Sequence, residues 1–150
     1  MPPSLSRATF RPRSRSRDWA AAYYLPEALI ALVLVRLGLL LFGLSRVRSL
    51  GLPTGLRRPP MPLEPARLAR AVRAGARVVP LASCLTQAQA AQILLARRGI
   101  ASTLCLGVRE TAAGELAAHA WLVAEGRMLL GGSTHELAAF RQLVELGPTR

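Results

Sequence analysis

Two residues have the type and spacing for nucleophilic chemistry: Cys84 and His119. Cys84 stands second in the run S-C-L-T-Q-A-Q-A-A-Q-I-L-L-A-R-R-G from Ser83 to Gly99, and His119 sits in the short run A-H-A-W from Ala118 to Trp121. A thiol attacks as its thiolate and needs a base that takes and returns a proton. A helix N-terminus favours negative charge through its unpaired N–H groups and its dipole, and the same N–H groups can hold an oxyanion. An imidazole on a neighbouring strand would supply the base. The order of a helix-opening cysteine, a strand, then a histidine on a hairpin suits a Cys–His pair of the kind cysteine hydrolases use. The plainer alternatives are a buried packing cysteine and a structural or simply exposed histidine. Cys105 falls in mid-strand and reads as core. His135 is a rival base, but it stands in a helix cap where its charge would oppose the dipole. A third group should orient the imidazole. Glu136, Glu115 and Glu125 are the carboxylates available, and a backbone carbonyl is also open.

Local signals give the elements that must position this pair. Pro80 disfavours helix at Val79, and Ser83 is a good N-cap, which puts Cys84 in the first turn. Leu85, Ala88, Ala91, Leu94 and Leu95 form one broad apolar face. Arg97 and Arg98 suit the negative end of the dipole, and Gly99 suits the stop. Ile100 to Val108 alternates as a strand, with Leu104, Leu106 and Val108 on one face and Thr103 and Cys105 on the other. Thr111 to Glu115 reads as a loop and Ala118 to Ala124 as a second strand. Glu125-Gly126 reads as a two-residue turn and Arg127 to Leu130 as a third strand. That turn predicts Leu122 opposite Leu129, Trp121 opposite Leu130 and His119 opposite Gly132. Trp121 shares the face of His119, either as a wall of a cleft or as a core aromatic. Ser133-Thr134-His135-Glu136 has the form of a capping box; the helix it opens would turn Leu137, Phe140 and Val144 inward.

The charge is uneven. All twenty basic residues are arginine, a usage more in keeping with codon bias than with recognition chemistry. Residues 1–77 hold Arg7, Arg11, Arg13, Arg15, Arg17 and nine more arginines against Asp18, Glu27 and Glu64, whereas residues 78–150 are nearly neutral. Residues 1–17 cannot bury enough apolar surface to offset their ordering entropy and read as a disordered basic tail. They lack the aromatic platforms a nucleic-acid arm would use, so no nucleic acid is expected as a partner. Residues 28–44 are apolar except for Arg36. They fall short of the ~20 residues a span needs, and an arginine near mid-span costs ~2.5–3.5 kcal/mol on insertion scales. The segment reads as a helix packed on the domain or on a partner, or in peripheral contact with a membrane. The proline- and glycine-rich stretch from Gly51 to Pro65 reads as a linker, followed by a surface helix over Ala66 to Val78, with Leu68, Val72 and Val79 on its apolar side. The domain reading is therefore 1–17 tail, 18–62 apolar helix and linker, and 63–150 catalytic domain. Two cysteines without metal-ligand spacing fit a reducing, cytoplasmic setting and imply no cofactor.

The run from Ser83 to Ile100, the L-G-V at 106–108 and A-H-A-W-L-V-A-E-G-R from Ala118 together resemble the B protein of lasso-peptide biosynthesis, a transglutaminase-like cysteine protease. The resemblance covers about Leu63 to Leu130 and extends more loosely to the apolar segment from Glu27. It implies an α+β fold of transglutaminase or papain type, with the cysteine helix packed on a small antiparallel sheet. It matches Cys84 to the nucleophile and His119 to the general base. Where the family carries its acidic third member this chain has Gly131. The implied activity is removal of the leader from a ribosomally made precursor peptide, whose released core an asparagine-synthetase-like cyclase then closes. Residues 1–62 lack the alternating strands of a leader-recognition domain, so the resemblance implies the stand-alone peptidase half, with that domain as a separate protein. The alternatives are a transglutaminase-like acyl transferase, or a non-catalytic basic scaffold or membrane adaptor.

Overall fold

The structure, a computed structural model, describes residues 22–49 and 64–147. The basic tail at 1–17 and most of the linker lie outside the described residues.

The fold is built round one helix. Ser83 is extended, and its Oγ accepts from the Thr86 N–H at 3.3 Å, so helix α3 begins at Cys84 and runs Cys84–Ala96. It stops where expected. Gly99 takes φ 71°, the left-handed region that suits glycine, and the Ile100 N–H closes on the Leu95 carbonyl. The expectation of one apolar face is corrected, because α3 is buried almost all round, from Thr86 to Leu95. Helices α1 (Leu25–Ser49) and α2 (Glu64–Ala76) cover one side of it, and a sheet covers the other. A helix enclosed by two layers keeps no water-facing stripe. Burial reaches two glutamines. The Gln92 amide shares its protons among the carbonyls of Ser102, Leu146 and Gly147. The Gln89 amide is enclosed and has no hydrogen-bond partner among the described residues.

The sheet is antiparallel, in the order β3-β2-β1-β4, from β1 (Ser102–Glu110), β2 (Leu116–Ala124), β3 (Arg127–Leu130) and β4 (Arg141–Leu146). Strands β2 and β3 join through Glu125 and Gly126, both at positive φ (52° and 68°), as a tight hairpin turn demands. Val123 pairs with Met128 as expected, but Leu122 pairs with Leu130. Leu129 is thus an extra residue, a β-bulge, whose carbonyl accepts from Arg73 of α2. The register expected beyond Val123 is therefore one residue out.

Two further differences follow from pairing. The capping box forms: the Ser133 N–H donates to Glu136 Oε2 at 2.7 Å, and the Glu136 N–H donates to Ser133 Oγ at 3.3 Å. The helix it opens, α4, ends at Thr134–Leu137. The chain beyond is not helical, because Arg141–Leu146 gains a full strand partner in β1. Val144 accordingly lies half-exposed on an edge strand and does not turn inward from a helix.

The larger core lies between the helices and the sheet. Tyr24, Ala28, Leu32 and Val35 bring α1 into it, and Gly75 of α2 lets Leu32 and Leu29 approach closely. Polar contacts fasten the three helices. Arg98, just past α3, donates to Glu64 at 2.9 Å and to Glu27 at 2.5 Å and stacks over Tyr24, whose hydroxyl also donates to Glu64. A smaller core on the other face of the sheet holds Cys105, Trp121 and Leu137.

Candidate active site

Cys84 is the first residue of α3 and is half-buried. The Thr86 N–H is taken by Ser83 Oγ and the Gln87 N–H by the Ser83 carbonyl. Helix geometry leaves the amides of Cys84 and Leu85 at the open end, without intrahelical acceptors. The turn ahead is held tightly. Leu81 takes φ 58°, a left-handed conformation unusual for leucine, and the Gln87 side chain donates back to the Ala82 carbonyl at 2.9 Å.

His119 comes from β2, opposite Gly107 of β1. A side chain at 107 would drive a Cβ to within 2.8 Å of the Trp121 ring, so glycine is what lets that ring lie across β1. The imidazole is stacked 6.5 Å from Trp121 and tilted 5.4 Å from Phe140. Its Nε2 lies 2.7 Å from the Gly131 carbonyl oxygen. A carbonyl only accepts, so Nε2 carries a proton, and in the neutral imidazole the lone pair is on Nδ1. The bulge at Leu129 sets this contact by bringing Gly131 against Trp121. A Cβ on residue 131 would fall 2.3 Å from the Trp121 Cβ, and φ there is 109°, so the position admits glycine and no acid.

Cys84 and His119 open on one cavity of about 950 Å³. Gly131, His135 and Glu136 line it too, while Glu115 and Glu125 do not. Glu125 sits in the hairpin turn and Glu115 in the turn with Thr111. The Glu136 carboxylate is committed to the Ser133 amide and hydroxyl. Those two bonds, with the charges of His135 and His119 behind them, hold it below the usual carboxylate range. Cys105 lies in the smaller core, on the face of the sheet turned away from the helices and shared with Trp121 and His119, where burial and the nearby Glu145 push its thiol up. Trp121 is 6 % exposed and packs in that core with Cys105. It backs the imidazole and does not wall the cavity, which settles its two readings in favour of the core aromatic.

Sequence reasoning missed the parts played by Phe140, Arg73 and Arg109, and it left open which backbone carbonyl would orient the imidazole. Phe140 flanks the imidazole and carries Arg109 5.1 Å above its ring. Arg73 and Arg109 make the cavity basic. Residue type carries no signal for the Gly131 carbonyl, since every residue has one. Among the described residues, no group of three or more His, Cys, Asp or Glu side chains is placed to hold a metal ion.

A family model described as the transglutaminase-like superfamily matches residues 29–145, a span that runs from α1 through β4. Neither the curated proteins nor the solved structures give a match.

Proposed function

The chain belongs to the transglutaminase-like superfamily, whose members usually act through a catalytic cysteine, and from that membership we propose that it is a cysteine peptidase that removes the leader from a lasso-peptide precursor. The observation that carries the reading is the shared cavity. A thiol at the head of a helix and an imidazole fixed through Nε2 face the same space.

His119 Nδ1 takes the Cys84 proton, and the thiolate attacks the carbonyl carbon of the scissile bond. The Cys84 and Leu85 amides at the open end of α3 hold the oxyanion. The tetrahedral intermediate collapses as Nδ1–H protonates the departing amine, which leaves a thioester on Cys84. Water, losing a proton to Nδ1, then adds to the thioester. Collapse releases the leader carboxylate, and the proton returns to sulfur. The Gly131 carbonyl takes the orienting place of a side-chain acid. It fixes the tautomer and the ring plane but adds no negative charge, so the imidazolium gains less than it would beside a carboxylate. The proposed partners are the precursor peptide, a separate leader-recognition protein and the asparagine-synthetase-like cyclase.

The test is mass analysis of a precursor incubated with the protein and the leader-recognition partner. Cys84→Ala is expected to abolish leader release, and His119→Ala to slow it by about 10²–10⁴-fold, with circular dichroism unchanged. Unimpaired release by either variant overturns the reading. A precursor fragment joined to an added amine in place of a free leader would make the chain an acyl transferase. Slow alkylation of Cys84 by iodoacetamide at neutral pH, without turnover, would make it a scaffold.

A further inference from the structure

Helix α1 is apolar in two opposite directions. Ala28, Leu32 and Val35 point into the core and are at most 3 % exposed. Ile30, Val33, Leu34, Leu37, Leu40 and Leu41 point away from it and are 43–71 % exposed. At ~100° per residue, 30, 34, 37 and 41 fall in one line, and 33 and 40 lie beside it. The stripe is about 17 Å long at 1.5 Å rise per residue and carries no charged side chain. Arg36 stands on its flank, and Glu27 is turned toward Arg98. Single exposed leucines are ordinary, but a continuous apolar stripe of this kind marks a surface that meets something.

The charge of the sequence on either side of the stripe says what it meets. Residues 1–77 hold fourteen arginines against three acids. Two of those acids, Glu27 and Glu64, are engaged by Arg98. Arg7 to Arg17 precede the helix in sequence, and Arg46 and Arg48 follow its kink at Gly43. An apolar stripe within so uniformly positive a half fits an anionic lipid surface. By length and composition Leu25–Val47 could also cross a membrane, but crossing would pull Ala28, Leu32 and Val35 out of the core.

We propose that α1 docks the protein on an anionic membrane surface, lying in the plane of the interface with its outer stripe among the acyl chains. The protein body takes the place of the polar face that an isolated interfacial helix would present to water. No residue of α1 lines the cavity, and the sheet lies on the opposite side of α3. Docking therefore leaves the cleft open. The proposal is independent of the peptidase reading, and either can fail alone.

The test is flotation of the full chain with vesicles of phosphatidylcholine alone or mixed equally with phosphatidylglycerol. The chain is expected to float with the anionic vesicles, to stay at the bottom with the neutral ones, and to be released by alkaline carbonate. The triple variant Leu34→Glu, Leu37→Glu, Leu41→Glu changes only exposed positions. It should unfold at the same temperature yet lose about tenfold or more of the floated fraction. Failure of the parent chain to float, equal flotation of the variant, or retention through the carbonate wash would each overturn the proposal. So would a stable dimer that the triple change makes monomeric, because the stripe would then be a protein interface.

Discussion

At the scale of single residues, the site depends on a main-chain atom. The Gly131 carbonyl holds His119 only because residue 131 can lie against Trp121 with φ 109°. Gly131→Ala should cost about 1–3 kcal/mol in strain and should also slow leader release, since the carbonyl must shift. Gly126 is a suitable control, because its φ is also positive but a Cβ there meets nothing. Urea unfolding that shows equal losses for Gly131→Ala and Gly126→Ala would refute the close approach. Glu136 is the nearest rival for the orienting role. Its carboxylate is already bonded to Ser133, so Glu136→Gln should slow turnover less than about tenfold, whereas losing a true orienting acid costs on the order of 10⁴. The same bonds make a pH prediction. The folded carboxyl lies below its unfolded value of about 4.3, so the cap is complete above that value and is lost as pH falls through the lower, folded one. The Ser133 amide shift, followed by NMR down to pH 2, should move only on the acid side of about pH 4.

Among the elements, α3 is the common partner of both helices and the sheet, and Arg98 locks its far end. Glu64 is 2 % exposed and sits between Tyr24 and Arg98. Arg98→Met would take the guanidinium away from that buried carboxylate, which should destabilise the protein by about 3–5 kcal/mol. Adding Glu64→Gln should recover much of the loss, because it removes the buried charge. Chemical denaturation of the two single variants and the double variant measures the coupling, and strict additivity would show that the contact is worth little. Helix α3 itself was legible as a helix from Ser83 to Gly99, since caps and stops act within one turn. Its burial on all sides was not. That depends on α1, which is distant in sequence, and on α2, both packed on the side away from the sheet. The β2–β3 turn was equally legible, but the bulge two pairs beyond it was not. Nothing near Leu129 marks an extra residue, and what uses it is the Arg73 side chain from α2.

In the whole molecule, α1 shares one apolar core with α2, α3 and the sheet, and the family match begins within it at residue 29. A fragment of residues 63–150 would expose the apolar surface that Tyr24, Ala28, Leu32 and Val35 cover, along with the Arg98 pairing to Glu27. It should be molten or aggregated by near-UV circular dichroism and gel filtration. A cooperative unfolding transition in that fragment would show that α1 is an appendage. Taken alone, the sequence determined the parts whose causes are local. Ser83 caps the cysteine helix, Gly99 ends it, Glu125-Gly126 turns the hairpin, and Ser133 and Glu136 satisfy each other's backbone. Each rests on hydrogen bonds or backbone conformations within about four residues, so the residue types on the spot decide it. Tertiary structure decided the rest. It enclosed α3 on every side, drew Arg141–Leu146 into the sheet in place of a longer helix, slipped the β2–β3 register by one residue, and set the Gly131 carbonyl against His119. Those outcomes turn on which distant strand or helix wins a pairing, and the group that holds the imidazole is one that every residue carries.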